Sequence, residues 1–490
     1  MKPPRAAFAS TALALLASLA LAAGPDRSKP PSAGSPKAVK LPPVQKMALA
    51  NGLPVILVDV REVPTVEMAL VVRAGASADP LNRSGVAAMA SEMLDEATGG
   101  RDALAIADAL DLLGAELRTS CTWDAALVRM HVGAARLAAA LPVFADVALR
   151  PAFRQKDLDR LRREALTELL QARDQPRQIA SFALARAVFG EGHRYGLPLK
   201  GDAASIQAMK PSDLRTFHTK LYRPENAALV VVGAVDAATL VPQLEKTFGT
   251  WQKGGQMNPA IADAAPTYGR QVWLIDRPGS AQSVIRIGRV GPNRTTPDYH
   301  ALEVMNTLLG GSFTSRLNDN LREQHGYAYG ASSRFDYRRA VGLFVAASDV
   351  HTPNTADAMR EFISELLRIR TPAKKDEVER ARAFLAAGYA HDFETTRQIA
   401  AKLAEQVTFG LLEDEFQSFV PKAMNVDAKA VQRVATATVD PGNVAIVIVG
   451  DRAKIEKSIQ QLDLGPMNVL TVEQIMGPPP KIEGPPKPEQ

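Results

Sequence analysis

The chain has 490 residues, of which 46% are hydrophobic and 23% charged, and its formal net charge is +5. That length holds more than one core, and the composition is that of a globular protein, not of a low-complexity chain. The small charge offers no footprint for a polyanion, and no later run approaches the ~18 apolar residues of a membrane span. The expectation is no nucleic acid and no membrane span.

Residues 1–23 read as a signal peptide. Lys2 and Arg5 open it, Phe8 to Leu21 form a short apolar region, and Ala20-Leu21-Ala22 supplies a small-x-small cleavage signal. An exported chain, periplasmic in destination, is expected; losing Lys2 and Arg5 takes its charge from +5 to +3. Residues 24–45, rich in Pro, Ser, Gly and Lys, predict a disordered tether. The single Cys121 cannot form an internal disulfide, so packing must replace staples, and a buried inert thiol is expected.

From Lys46 to Arg73 the pattern alternates like a hairpin, with Asn51-Gly52 as a tight-turn signal and a second turn at Glu62-Val63-Pro64. A Gly/Asp/Pro/Asn-rich turn follows, and Ser84 predicts the N-cap of a helix. Val86, Met89, Ala90, Met93 and Ala97 form its apolar stripe, while Ala88, Ser91, Glu92 and Asp95 share the opposite face. Next come a helix through Leu104, Ala107, Leu110 and Leu113, a strand from Glu116 to Val132, and helices over Ala135 to Val147, Arg154 to Arg173 and Ala180 to Phe189.

The chain contains an internal repeat. Arg223-Pro224-Glu225-Asn226-Ala227-Ala228-Leu229-Val230-Val231-Val232-Gly233 is echoed by Asp440-Pro441-Gly442-Asn443-Val444-Ala445-Ile446-Val447-Ile448-Val449-Gly450, and Lys156-Asp157 recurs as Lys375-Asp376 at a similar offset. This predicts a tandem α/β unit of ~200 residues, with halves at 46–250 and 268–462 and a linker at 251–267. The tail, 463–490, ends GPPPKIEGPPKPEQ and predicts an extended, unfolded segment.

The turn with Asp79-Pro80 and the helix opening Gly85-Val86-Ala87 resemble the zinc-helix region of the insulinase/pitrilysin-like metallopeptidases, the processing-peptidase superfamily with the inverted motif H-x-x-E-H. The resemblance covers roughly Lys46 to Leu462. It implies an α+β fold of two homologous halves, each a mainly antiparallel sheet with packed helices, arranged as a clamshell around a chamber. It also puts the two metal-binding histidines on Ala88 and Glu92 and the catalytic glutamate on Ser91. Alanine offers no donor, and serine cannot stand in for a carboxylate base.

The third zinc ligand of the family would fall on Glu168, before Asp174-Gln175-Pro176. Without the resemblance, Glu168 is a solvated side chain on a charged helix. Glu92 and Glu168 together could hold a hard cation such as Ca2+, but two carboxylates are too few to predict a site. Gly192-His193-Arg194-Tyr195-Gly196 followed by Gly201 matches the family's His-Pro-Tyr-Gly loop with Arg194 in place of proline, and reads as architectural. None of His131, His193, His218, His300, His325, His351 and His391 forms an H-x3-H pair, and His391 to Glu394 is half a motif that ends in Thr395.

In the second half, Gly310-Gly311-Ser312-Phe313-Thr314-Ser315-Arg316-Leu317 and Leu321-Arg322 to Tyr329 resemble the family's second signature, a Gly-Gly turn before Ser-Arg-Leu and an Arg/Tyr pair that holds the substrate backbone and the developing oxyanion. An arginine fork and a phenol can both donate to a carbonyl gaining charge. The alternative is that Arg322 pairs with a helix carboxylate and Tyr329 merely starts a strand. The resemblance therefore implies a zinc-less subunit with no bound cofactor of its own, whose zinc-motif-bearing partner supplies the metal, while Arg322 and Tyr329 act in trans on an enclosed peptide. The other class of function is a peptide-binding clamp or scaffold with no role in proteolysis. A peptidase active alone would need stoichiometric zinc, which these ligands do not support.

Overall fold

The structure, a computed structural model, describes residues 39–254, 260–265 and 269–482. The expected signal peptide, most of the expected tether and parts of the expected linker and tail lie outside the described residues. The architecture is α+β, with two six-stranded sheets and helices packed on them. The first sheet comprises β1 (Val44–Ala48), β2 (Pro54–Asp59), β3 (Thr65–Val72), β4 (Glu116–Cys121), β5 (Ala126–Gly133) and β6 (Ala227–Gly233), in the order β1-β2-β6-β3-β5-β4. The second comprises β7 (Gln271–Asp276), β8 (Gln282–Gly291), β9 (Ala328–Asp336), β10 (Gly342–His351), β11 (Ala445–Gly450) and β12 (Met467–Leu470), in the order β12-β7-β11-β8-β10-β9.

The repeated strands β6 and β11 hold the same place in the two sheets. Each runs parallel to one neighbour, β2 or β7, and antiparallel to the other, β3 or β8. Parallel pairing needs a long crossover, and in each half the helices supply it. Every residue of β6 and β11 is buried, which explains why they read as unbroken apolar runs.

Burial on both faces follows from an exchange of helices between the halves. The inner faces of the first and second sheets pack on helices of their own half. The other face of the second sheet is covered by the helix Pro176–Phe189 from the first half, through Ile179, Ala183, Leu184 and Val188 against Ile275, Val345, Val447 and Val449. Reciprocally, Thr396–Phe409 from the second half lays Ile399, Leu403 and Val407 on Val58, Val71, Val230 and Val232. Along these faces an apolar seam joins the halves.

Several local expectations are corrected. β2 and β3 do not pair, because β6 lies between them; the hairpin at Asn51-Gly52 joins β1 and β2 instead. Glu116 to Val132 is two strands, since the Thr122 hydroxyl accepts from the Asp124 and Ala125 amides and turns the chain. The segment expected to be unfolded from 463 onward is ordered through 482: β12 extends the second sheet parallel to β7, and Val472–Met476 is a helix. The Arg173 and Arg186 guanidiniums donate to the Gly477 and Gln474 carbonyls at 2.6 Å, satisfying backbone that a free tail would leave to water. Among the described residues no helix is long and apolar enough to cross a membrane.

The exchanged helices make a direct prediction. Leu403→Ala, at a fully buried position on the opposite half's sheet, is expected to cost about 2–5 kcal/mol of unfolding free energy in urea denaturation. A cost within about 0.5 kcal/mol of zero, the range of surface changes, would show that this seam does not hold the halves.

Candidate functional site

The motif helix runs Val86–Glu92. Its cap is not Ser84, whose hydroxyl donates to Asp202 at 3.1 Å. The Asp79 carboxylate accepts from the Gly85 and Ala87 amides instead, both at 2.8 Å, placing an anion on first-turn donors that have no partner within the helix. Gly85 adopts φ +91°, and a Cβ there would lie 2.3 Å from the Lys200 carbonyl oxygen. Gly201, also at φ +91°, packs back on the Ser84 carbonyl. Two left-handed glycines thus bring the start of the helix and the loop after Tyr195 into backbone contact.

Arg194, standing where the family carries proline, is the partner of Asp79 at 2.8 Å, and both are buried. Burial pushes the Asp79 carboxyl above its ordinary range, and the Arg194 guanidinium pulls against that shift. Arg194 also donates to the Pro198 and Leu199 carbonyls, so one side chain ties the helix cap to the loop that carries Lys200. The loop is architectural, as its sequence suggests. His193 accepts from the Tyr195 amide and stacks on Phe189.

Ala88 and Ser91 do not face solvent: they are 4% and 1% exposed. The Ser91 hydroxyl lies 3.5 Å from the buried Tyr222 phenol, and burial pushes the nearby Cys121 thiol up to about 12, so it stays protonated. Glu92 is half-exposed and meets Glu168, on the helix Gln155–Ala172, at one atom. The Lys200 ammonium lies 3.2 Å from the Glu92 carboxylate and 3.0 Å from that of Glu168. Burial disfavours the charged amine, but the two carboxylates outweigh it and hold the Lys200 pKa above its ordinary value.

These residues do not fit a zinc ion. Ala88 brings no donor, and a cationic nitrogen already stands between the two carboxylates. Among the described residues no group of three or more His, Cys, Asp or Glu side chains is placed to hold a metal. Part-exposed ion pairs contribute only about 0–1 kcal/mol each, so it is the glycine junction and Arg194, not the Lys200 trio, that fix this loop.

In the second half, Thr307–Gly311 and Asp319–Gln324 are π-helical turns, a geometry frequent at functional sites. A Cβ on Gly310 would fall 2.2 Å from the Ser333 amide of β9, which is why the Gly-Gly turn can lie flat on that strand. Arg316, of the Ser-Arg-Leu run, is structural: it forks onto Glu377 at 3.0 and 2.8 Å. Arg322 and Tyr329 are brought together, the guanidinium carbon lying 5.1 Å from the Tyr329 ring centre. Sequence reasoning missed Phe313, whose ring is 4.5 Å from the same carbon; its signal was an aromatic residue inside the Gly-Gly to Ser-Arg-Leu run. Tyr329 is 87% and Phe313 63% exposed, and among the described residues Arg322 has one ion pair, to its neighbour Glu323. No hydrogen bond or ion pair among the described residues joins this cluster to the motif helix.

Two measurements test this reading of the supports. Arg194→Ala strands a buried carboxylate and is expected to cost about 3–5 kcal/mol by urea denaturation; a loss under about 1 kcal/mol would remove Arg194 from its anchoring role. The Arg316 fork pulls the Glu377 carboxyl from 4.5 down to about 2. A depressed carboxyl stabilises fully above the unfolded value and loses that contribution as pH falls toward the folded one. Glu377→Gln should therefore flatten the fall of Tm between about pH 5 and pH 2; parallel acid limbs for the two proteins would contradict it.

Comparison with known proteins agrees with this geometry. Residues 55–202 match the family model described as insulinase (peptidase family M16), and residues 208–385 match that of the peptidase M16 inactive domain. An uncharacterized zinc protease of Mycobacterium leprae is 28% identical over 332 residues, 68% of this chain and 74% of the relative. Another, YmxG of Bacillus subtilis, is 23% identical over 59% of this chain and 69% of its own length. Among solved structures, a peptidase M16 inactive domain from Pseudomonas fluorescens superposes with TM-score 0.78 at 26% identity, over 83% of this chain and 98% of that one. A protease from Helicobacter pylori, at 19% identity and TM-score 0.78 over 84% of this chain and 100% of that one, shares the fold. The chain belongs to the insulinase family, peptidase family M16.

Proposed function

We propose that this chain is the zinc-less subunit of an exported, periplasmic heterodimeric zinc metallopeptidase. It binds a peptide and completes its partner's active site in trans, with Arg322 and Tyr329 donating to the substrate backbone and to the oxyanion that develops on the scissile carbonyl. The partner carries H-x-x-E-H, the zinc and the water-activating glutamate. The observation that supports this is a division within the chain: the motif positions hold a methyl, a hydroxyl and a lysine-paired carboxylate, while Arg322 and Tyr329 stand together, the phenol ring exposed.

The test is reconstitution with a partner bearing the zinc motif, reading peptide hydrolysis. Arg322→Ala and Tyr329→Phe are each expected to lower the mixture's kcat/KM about 10²–10³-fold, the usual loss for an oxyanion donor, with the Tm of this chain unchanged. Unaltered turnover would discard the trans role. Peptide binding that persists with no hydrolysis in any mixture would leave a peptide-binding clamp in its place.

A further inference from the structure

Glu92 and Glu168 come from two helices about 75 residues apart in sequence, yet their carboxylates converge on one atom, the Lys200 Nζ, at 3.2 and 3.0 Å. The fold fixes where the Lys200 backbone stands, while its side chain is part-exposed and held to the two carboxylates. Its backbone is pressed against Gly85 at the head of the motif helix, Gly201 follows it in the left-handed region, and Arg194 holds the carbonyls of Pro198 and Leu199 just before it. The residue is built into the same junction that positions Ala88 and Glu92. Converging carboxylates usually gather a cation because their charges otherwise repel across a short gap.

We propose that the Lys200 ammonium is a built-in replacement for a metal ion, neutralising Glu92 and Glu168 and keeping divalent cations from the place those carboxylates define. The role belongs to this chain's own residues and does not depend on Arg322 or Tyr329 acting in trans. An ammonium has three donors and no lone pair, so it satisfies carboxylates but cannot share them with a dication at coordination distance. It supplies charge balance without Lewis acidity.

The experiment uses the full purified chain and Zn2+ itself. Ala88→His adds one imidazole a turn before Glu92, giving a His/Glu/Glu donor set that still contains both partners of Lys200. Isothermal titration of Zn2+ is expected to give at least about tenfold tighter binding in A88H/K200M than in A88H, the gain disappearing when E168Q is added. Equal affinity with and without Lys200 would overturn the proposal. Position 88 is buried, so an imidazole there could prevent folding. In that event wild type and Lys200→Met are compared by thermal shift. A Zn2+-dependent rise in Tm for K200M that EDTA reverses, with none in wild type, is the expected result. The same response in both proteins, or none in either, would overturn it.

Discussion

The apolar seam that Pro176–Phe189 makes on the second sheet, and Thr396–Phe409 on the first, sets the terms for the rest of the molecule. A sheet with one bare face of valine and isoleucine would present a large exposed patch, which monomeric folds avoid. Here each half lends the helix that covers the other. The lent helices occupy matching places in the repeat, so one local invention, duplicated, closes both open faces. Neither half is then a free-standing unit, because each lacks the cover for its own sheet. The seam also fixes the functional elements. Glu168 lies a few residues before the helix that docks on the second sheet, and Asp174 between them accepts from Arg277 of the second half at 3.1 Å.

Within that frame the first half has the scaffold of the family's motif region, with an ammonium between its carboxylates. The Asp79 cap, the glycine junction and the convergence of two carboxylates all remain, and each constrains backbone or charge and not chemistry. With no donor at 88 and no carboxylate at 91, the two carboxylates of Glu92 and Glu168 would face each other and repel without a cation between them. A single ammonium cannot match a dication in charge, but it suffices for two carboxylates that are part-exposed and already solvated. Ala88 and Ser91 are both buried, Ser91 beside the Tyr222 phenol, so packing closes around the small side chains at these positions.

What could be read from the sequence was what repeats or what matches a spacing. The duplicated Pro-x-Asn strand located the third strand of both sheets, and the long amphipathic helices fell within a few residues of their observed ends. Contacts between residues far apart could not be read. The insertion of β6 between β2 and β3 depends on a strand about 160 residues away, and the Ser84 hydroxyl was diverted to Asp202 by a loop more than a hundred residues on. Lys200 is the sharpest case. Its position in the sequence carries no motif, and only the meeting of Gly85 with Gly201 places it between Glu92 and Glu168. The tail misled because its proline content says nothing of the backbone pairing in the strand before it. Asn468, Val469 and Leu470 pair with β7 through backbone that composition does not reveal.

The Arg322 cluster presents the opposite economy to the core. An aromatic side chain stabilises a fold by leaving water, yet Tyr329 and Phe313 remain largely in it, and their shared guanidinium pairs with the adjacent Glu323. The supports beneath them are nevertheless strict: two π-turns, a glycine with no room for a Cβ against β9, and the Arg316–Glu377 fork that pins the intervening turn. If these supports served stability alone, they would be expected to bury the groups they hold. They do the reverse, holding an arginine and two rings outward; in the function proposed above, such a pre-placed set would cost little to organise when a peptide arrives. Exacting geometry spent on exposed side chains is what distinguishes this corner from the rest of the surface, and it is the same corner that the Gly-Gly and Ser-Arg-Leu spacing marks in the sequence.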